Sequence, residues 1–532
     1  MPNHRKNAIE NTLKNANETA NESAEEKAKE FLKTKHLYLL GDLVTEQPHP
    51  LTTNLSQMAN DNLAGILPII RKIELKLVDN VFTMLPDILK LQSDIERTLN
   101  EGHRIFICGC GATGRLALTL EFLWRKLATK DQKDRVIGFM AGGDVALVRS
   151  LERIEDLPEM GAQHLMSLGF QKKDLLISVT EGGETPYVIG ATEKAAQYSE
   201  RLPYFLFCNP KELLIKKVER SKGVITNKQI RSISLPIDPM VLAGSTRLQA
   251  TTALLLAVGS ALFPMVTTGS PQSIFHEYGE AIKNLELLDL INFIETESKI
   301  YMAGDKLQYT TTEFGITILT DTTERSPTFS LAPFENRQEP LAEMSLCYLK
   351  ILHTSSAKEA WEKLLLRSPK LNGRPDWIVE KGVDWIFGYD LSSAQSDLID
   401  NHRKNYRNKT FNIEFKDGGF CFDLDGQKKT FLVNTQNLFI QHLVLKILLN
   451  THSTLLMGRL KRYQNNIMTY VKPSCGKLID RAIRCVQYIL FQENLKHVDY
   501  DKLAHLVFEA MDGLGPTESI VMKVLGKIKL NK

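Results

Sequence analysis

The chain has 532 residues, 43% of them hydrophobic and 24% charged, which is typical of a globular protein with about two to four domains. Its 66 basic and 63 acidic residues give a net charge of +3, so we expect neither nucleic acid nor a membrane as a partner. The seven cysteines lack a zinc-ligand spacing and no secretion signal is visible; we therefore expect reduced thiols, a cytoplasmic protein, no metal ion and no cofactor.

The first hundred residues divide into a tail and a helical segment. Residues 1–44 are mostly polar, rich in Asn, Glu, Lys and Ala near the start, and are predicted to form a loose helix or a disordered tail. The stretch Gly41–Thr53 contains two prolines and is predicted to be extended. In residues 45–100, apolar residues recur at three- and four-residue spacing from Asn54 to Leu99, which predicts two or three amphipathic helices.

Residues 101–270 show the pattern of an α/β domain. Five short apolar runs are strand candidates: Ile105–Cys108, Val136–Met140, Leu175–Val179, Tyr204–Phe207 and Ile233–Ile237. Helical patterns between the first four predict a mostly parallel sheet with helices on both faces. The long apolar run Thr251–Val266 is too short to span a membrane and is predicted to be a buried helix.

The turn after the first strand candidate suits an anion. Gly109, Gly111 and Gly114 separate the strand from a helical pattern, and small residues let backbone N–H groups approach a ligand at a helix start. Thr113 supplies a hydroxyl at the cap position. Taken alone, the pattern is a weak signal, and a tight strand-to-helix turn without a ligand is the alternative.

Further loops after the strand candidates share this composition. Ala141–Asp144 follows the second strand candidate, a loop with Thr180 and Thr185 follows the third, and Gly244–Thr246 follows the fifth. Because loops at the carboxyl ends of parallel strands meet at one edge of a sheet, we expect a cup of N–H and O–H donors. Such a cup suits a phosphorylated, hydroxyl-rich small molecule.

Several motifs in this order resemble one known family. The motifs GCGATGRLA, AGGD followed by Glu155-Asp156, TPYV and GSTRL are similar to the sugar isomerase (SIS) domain family. They resemble the branch that holds bacterial N-acetylmuramate 6-phosphate etherase and the animal glucokinase regulatory protein. The segment TEQPHPLTTNL also resembles a signature of that branch, and the likeness covers roughly Thr45–Val266. It implies a first SIS domain at residues 101–270 that binds a sugar phosphate, and a role in carbohydrate metabolism.

Residues 271–465 are interpreted as a second, divergent SIS domain. Lys299–Gly304 repeats the pattern of Arg104–Gly109, and Asn434–Gly458 repeats the long apolar helix. Two more strand candidates lie between them, Asp376–Val379 and Phe411–Phe415. Asp305 and Lys306 follow Gly304 directly, without a glycine loop, so we expect a scaffold with little or no ligand binding of its own.

The predicted fold class is therefore α/β. We expect two SIS-type parallel-sheet αβα sandwich domains in tandem, N-terminal helices, and a C-terminal helical tail or lid at residues 466–532. This doubled layout is the one that the resemblance associates with the glucokinase regulatory protein.

The resemblance also implies a set of ligand-binding residues. They are Gly111, Ala112, Thr113, Gly114, Glu155, Thr180, Glu181, Glu184, Ser245, Thr246 and Lys477. In the family, a lysine of the tail motif GKLIDRAI reaches over the sugar phosphate, and Lys477 matches it. Helix capping by Thr113 and Ser245, and a solvated Lys477, remain open alternatives.

Only one of the two acid–base residues that the resemblance implies for an etherase is present in this sequence. Etherases of this family use glutamates, and Glu155 matches one, which makes it the catalytic candidate if the chain is an enzyme. The second falls nine residues after Gly114, where this chain has Leu123, which transfers no proton. Glu121 lies about 200° round a helix from that position and is predicted to point elsewhere. Gln249 replaces a family lysine, and Glu181 and Glu184 make the cup less basic.

Four hypotheses for the function follow. The leading one is a sugar-phosphate-binding regulatory protein, with a sugar kinase or another protein as partner. The second is an N-acetylmuramate 6-phosphate etherase, a carbon–oxygen lyase that releases lactate. The third is a sugar-phosphate isomerase that uses Glu155 together with a histidine, although no histidine lies in a motif that supports this role. The fourth is a scaffold without a ligand, which Glu181 and Glu184 favour.

Overall fold

The computed structural model describes residues 23–151, 154–339, 343–370, 382, 384–394, 408–515 and 517–530. The chain forms two compact units, one of Gly41–Met468 and one of Met1–Leu40 together with Thr469–Lys532. The boundaries predicted from the sequence at residues 44, 100, 270 and 465 remain predictions.

The first sheet is parallel throughout, as the sequence predicts. Its strands are β1 Ile105–Gly109, β2 Val136–Met140, β3 Leu175–Val179, β4 Tyr204–Phe207 and β5 Arg231–Ser234. They lie in the order β2-β1-β3-β4-β5, with Ile105 opposite both Val136 and Leu175. The first four predictions are correct to within one residue. The fifth strand ends earlier than predicted, and Pro236, which has no N–H to donate to a ladder, lies just beyond its end.

Helices surround this sheet and precede it. The helices of the large unit up to the second sheet are α2 Leu55–Asp61, α3 Leu63–Phe82, α4 Leu85–Asn100, α5 Gly111–Leu127, α6 Pro158–Ser167, α7 Pro186–Tyr198, α8 Lys211–Lys217, α9 Glu219–Thr226, α10 Gln249–Leu262, α11 Pro271–Asn284 and α12 Leu290–Met302. Helices α2 to α4 confirm the amphipathic helices predicted between Asn54 and Leu99. Every residue of α10 is buried, which confirms the core helix.

The second sheet is mixed. Its strands are β6 Lys306–Thr311, β7 Cys347–Ile351, β8 Asn408–Lys416, β9 Gly419–Leu424 and β10 Gln427–Leu432, in the order β10-β9-β8-β6-β7. The strands β6, β7 and β8 pair in parallel, and β8, β9 and β10 form an antiparallel meander. The helices with it are α13 Gly315–Phe329, α14 Ala357–Leu365 and α15 Leu438–Arg459. A parallel core of three strands is thus extended by a hairpin-connected edge.

The interpretation of Lys299–Gly304 as a strand is wrong. The residues Lys299–Met302 end helix α12, whose buried positions include Phe293, Ile294, Glu297, Ile300 and Tyr301 at helical spacing. The strand begins only at Lys306, so the loop that corresponds to the first glycine turn is Thr312–Phe314, before Gly315 opens α13.

The remaining predictions for the second copy have mixed outcomes. The candidate Phe411–Phe415 lies within β8, and α15 confirms the apolar helix predicted at Asn434–Gly458. The candidate Asp376–Val379 lies outside the described residues.

The smaller unit is helical. Its described helices are α1 Ala24–Thr34, α16 Gly476–Gln492, α17 Tyr500–Met511 and α18 Ile520–Leu530. The ring of Phe31 lies 6.1 Å from that of Tyr38 and 5.9 Å from that of Phe508, which joins the N-terminal helix to the C-terminal ones. The tail predicted at residues 1–44 is helical from Ala24, and residues 1–22 lie outside the described residues. No helix within the described ranges has the length and apolar character needed to cross a bilayer.

Candidate functional site

The first glycine turn forms a tight helix start. Gly111 opens α5 with φ +54°, a left-handed conformation that favours glycine. The Thr113 hydroxyl accepts a hydrogen bond from the Cys110 N–H at 3.1 Å and donates to the Cys110 carbonyl at 2.9 Å. Thr113 therefore caps the helix, and its oxygen retains one further lone pair for a ligand.

The third and fifth loops meet. The Glu181 carboxylate accepts hydrogen bonds from the hydroxyls of Thr246 at 3.2 Å and Thr251 at 3.4 Å. The Thr180 and Thr185 hydroxyls are hydrogen-bonded to each other at 3.0 Å. The loops after β3 and β5, which are not adjacent strands, are thus brought together at the carboxyl end of the sheet.

Glu184 faces an arginine. Its carboxylate forms an ion pair with the Arg220 side chain, and the Arg220 Nε donates to the Glu184 carbonyl. Glu184 is 1% exposed. The repulsion that a second carboxylate would impose on a phosphate is therefore offset by a cation on α9.

Within the part of the chain that the structure describes, the Ser245 hydroxyl is buried and has no hydrogen-bond partner. Ser245 is 4% exposed, and among the described residues its Oγ has no hydrogen-bonding atom within reach. Its N–H donates to the Leu242 carbonyl at 2.9 Å, which fixes the turn before α10. Leaving a buried hydroxyl unpaired costs about 1–3 kcal/mol, so the position is a candidate for a ligand contact.

Glu155 lies beside the third loop. Its carbonyl accepts the Tyr187 N–H at 3.0 Å, in the first turn of α7. The Tyr187 hydroxyl is hydrogen-bonded to the His164 Nδ1 at 2.6 Å. Burial raises the pKa of the Tyr187 hydroxyl, and the Cys108 and Cys110 thiols raise it further. The segment with Glu155 therefore reaches the same edge of the sheet as the first and third loops.

The segment that contains Thr45 and Thr52 forms hydrogen bonds that hold two of these loops in place. Asn209 donates to the Thr45 hydroxyl at 3.0 Å and to the Gly182 carbonyl at 2.9 Å. The Thr52 hydroxyl donates to the Val241 carbonyl at 2.9 Å. The TEQPHPLTT signature thus supports the backbone of the third loop and of the turn before α10.

Gln249 has a structural role that the sequence did not reveal. Its side chain accepts the Val241 N–H at 2.7 Å and donates to the Pro239 carbonyl at 2.7 Å. The residue that replaces a family lysine therefore closes the turn that carries Ser245.

Lys477 belongs to the smaller unit. It lies half-buried in the first turn of α16. Its predicted role as a counter-charge to a phosphate remains a prediction. Within the described ranges, no three His, Cys, Asp or Glu side chains gather in a way that would hold a metal ion.

A buried leucine stands at the second etherase position, and the glutamate two residues before it is ion-paired. Leu123 is fully buried in the core, and the Glu121 carboxylate is bound by Arg367 at 2.8 Å and by Lys370 at 3.1 Å. Burial alone would raise the pKa of Glu121, but Arg367, Lys370 and Arg125 outweigh it and hold this pKa at about 2. Arg367 and Lys370 lie far from Glu121 in the sequence, so no local pattern reveals these two partners.

At the corresponding position in the second sheet, the hydrogen-bond donors of Thr312 are already bound by a side chain of the same chain. The Thr312 N–H and hydroxyl both donate to the Glu414 carboxylate, at 2.7 and 2.9 Å. A cavity of about 450 Å³ lies there, lined by Phe314, His353 and Lys416 among others. Because a carboxylate takes the donors that would face a phosphate, this geometry favours the expected scaffold role.

Comparison with known proteins agrees with the motifs on these loops. The family model of the glucokinase regulatory protein N-terminal SIS domain matches residues 87–196. An N-acetylmuramic acid 6-phosphate etherase from Thermosynechococcus vestitus is 33% identical over 254 residues, which are 47% of this chain and 76% of the relative. The chain belongs to the SIS family, in the branch of these two proteins.

Other relatives extend this result. An etherase of the same name from Trichodesmium erythraeum is 31% identical over 48% of this chain and 78% of its own length. The solved C-terminal domain of glucosamine-fructose-6-phosphate aminotransferase from Francisella tularensis covers 74% of this chain at 11% identity and a TM-score of 0.35, a likeness too weak to bear on function. Each etherase therefore aligns with about half of this SIS protein.

Proposed function

We propose that the first SIS domain binds a phosphorylated sugar and that the chain acts as a regulatory protein. The observation that carries the proposal is the Ser245 hydroxyl, buried without a partner among the described residues, beside the Thr246 hydroxyl and at the start of α10. A dianion at this edge of the sheet would meet hydroxyls and the positive ends of α5 and α10.

Isothermal titration of the full chain tests the ligand. The titrants are glucose 6-phosphate, fructose 6-phosphate and N-acetylmuramate 6-phosphate, with the unphosphorylated sugars as matched controls. We expect binding of at least one phosphorylated sugar and at least tenfold weaker binding of its unphosphorylated form, because charge-assisted hydrogen bonds are about twice as strong as neutral ones. Heat from none of the phosphates would contradict the proposal.

An etherase activity is the second candidate, and the two etherases more than 30% identical to this chain favour it. Two residues count against an etherase activity: Leu123 is buried, and Glu121 is held in its charged form by an ion pair with Arg367. Neither of them supplies a second acid to act with Glu155. The assay is lactate release from N-acetylmuramate 6-phosphate by purified protein. Sustained release would establish the enzyme, whereas bound substrate without release would support the regulatory protein.

The protein partner belongs to the same proposal. A regulatory role requires that ligand binding change the affinity for a second molecule by the same factor in both directions. A sugar kinase is the partner that the resemblance suggests. Pull-down of purified sugar kinases with and without the bound sugar phosphate tests it, and equal capture in both states would contradict coupling.

A further inference from the structure

Two arginines follow the candidate ligand turns at the same spacing. Arg115 lies two residues after Thr113, and Arg247 lies two residues after Ser245. They are 1% and 3% exposed, so each guanidinium is removed from water. A buried charge persists only where an opposite charge and hydrogen bonds compensate its lost hydration.

Both arginines find their opposite charge on one helix of the second SIS domain. The Arg115 Nε lies 2.5 Å from a Glu324 carboxylate oxygen, and an Arg247 guanidinium nitrogen lies 3.0 Å from the Asp321 carboxylate. Asp321 and Glu324 are three residues apart on α13, and therefore on one face of the helix.

The Asp321 end of this contact is firmly held. Asn450 and Ser453 of α15 donate to the same carboxylate at 2.8 and 2.7 Å. Burial alone would raise the pKa of Asp321, but Arg325 and Arg247 lower it below its usual range, so the carboxylate stays charged. Lys446 adds a hydrogen bond to the Arg247 carbonyl at 2.7 Å.

The Glu324 end also reaches the loop after β2. The Arg115 guanidinium donates to the Leu147 carbonyl, and the Thr323 hydroxyl of α13 donates to the same carbonyl at 2.7 Å. Helix α13 therefore contacts three of the segments that follow strands of the first sheet.

We propose that Asp321 and Glu324 are positioning residues for the sugar-phosphate site: through Arg247 and Arg115 they set the spacing between the helix starts that carry Ser245 and Thr113. The proposal rests on the proposed function and adds to it a task for the second domain. Helix α13 is rigid over one turn, so the two carboxylates fix both arginines relative to each other. The carboxylates act on the ligand only through the arginines.

The test compares three variants of the full chain. Asp321→Asn and Glu324→Gln each remove one carboxylate charge at the site. Asp174→Asn is the matched control, because Asp174 pairs with Arg104 at 2.7 Å, just before β1 and β3 begin and hence at the opposite end of the sheet. Affinity for the three hexose phosphates and the melting temperature are measured for each variant.

We expect Asp321→Asn and Glu324→Gln to weaken sugar-phosphate binding by about tenfold, the size of indirect effects carried through packed networks. Asp174→Asn should lower the melting temperature and leave the affinity within about twofold of wild type. Affinity that stays at the wild-type level in Glu324→Gln, or falls equally in the control, would overturn the proposal. Glu324 is the more exposed carboxylate, so this variant remains informative if Asp321→Asn does not fold.

Hydrogen–deuterium exchange of the ligand-free protein separates this proposal from the proposed function. We expect faster exchange of the amides at 111–116 in Glu324→Gln and at 243–248 in Asp321→Asn, with both turns unchanged in Asp174→Asn. If wild type binds none of the phosphates, the proposed function fails, yet the exchange data still decide the positioning role. Unchanged exchange at both turns would rule that role out.

Discussion

The charge of the candidate cup depends on which side chains neutralise its carboxylates. The Glu181 carboxylate accepts hydrogen bonds from two threonine hydroxyls, which are neutral donors. Glu184 instead pairs with Arg220, a cation. The cup is therefore less acidic than its sequence indicates, because α9 supplies a positive charge that no motif marks.

Removal of Arg220 should expose that acidity. In Arg220→Met the Glu184 charge is no longer compensated, and we expect sugar-phosphate affinity to fall about threefold to tenfold, the size of a charge interaction at several ångströms in a partly screened site. Titration calorimetry at low and high salt measures the effect, which should shrink with salt. The control is Lys217→Met, which removes a more exposed cation paired with Asp42. Equal losses in both variants would point to the net charge of the surface rather than to Glu184.

Substitution of Ser245 should affect stability and ligand binding in opposite directions. Because its hydroxyl is buried without a partner in the described part of the chain, Ser245→Ala should leave the ligand-free protein as stable or raise its unfolding free energy by up to about 1 kcal/mol. The same change should weaken sugar-phosphate binding. Ser260→Ala is the control, since that buried hydroxyl donates to the Ala257 carbonyl at 3.0 Å and its loss should destabilise. Chemical denaturation of both variants decides the question, and a larger loss in Ser245→Ala would contradict it.

At the scale of elements, the approach of α5 to β2 is limited by a glycine. A Cβ on Gly114 would lie 2.4 Å from the Met140 Cβ, closer than any real contact. Gly114→Ala should therefore lower the unfolding free energy by about 1–3 kcal/mol and displace the first turn. Gly223→Ala on α9 is the matched control, because a Cβ there meets nothing within 4 Å and alanine favours a helix by about 0.4–1 kcal/mol. Thermal unfolding of both variants should move in opposite directions.

The sequence predicted the elements of the first sheet because local pattern determines them. The buried parallel strands β1 to β4 are short apolar runs, and glycine or hydroxyl residues stand at or just before the starts of α5, α7 and α10. The second sheet was harder to predict. The apolar residues of Lys299–Met302 belong to a helix, whereas most residues of the strand Lys306–Thr311 are polar. Glu324 lies 209 residues from Arg115, Asp321 lies 74 residues from Arg247, and Arg367 lies 246 residues from Glu121, so no spacing rule could have found these ion pairs.

At the scale of the molecule, the two sheets depend on each other for charge compensation. Besides the two arginines held by α13, Glu121 and Asp144, which lie near the first sheet, are both bound by Arg367, which follows α14 beside the second sheet. A chain of residues 41–290 would leave Arg115, Arg247 and Asp144 without these oppositely charged partners and Glu121 with Arg125 alone, so we expect it to aggregate or to lack near-ultraviolet circular dichroism. Residues 41–468 should unfold in a single transition, since they form one compact unit. A sharp, reversible melt of the shorter chain would contradict this dependence.

Buried histidines make the same unit sensitive to acid. Burial lowers the pKa of His164 and of His442 to about 3 each, so both are neutral in the folded protein. Between pH of about 6.5 and 3 the unfolded chain binds protons that the folded chain does not, and the unfolding free energy falls by up to about 1.4 kcal/mol per histidine for each pH unit. Below a pH of about 4.5, Glu121, with its pKa of about 2, adds a loss of the same sign. Urea unfolding at pH 7.5, 6 and 5 measures the slope, and His164→Gln should reduce it by one histidine's share. A slope that the substitution leaves unchanged would show that His164 is not the group that takes up the proton on unfolding.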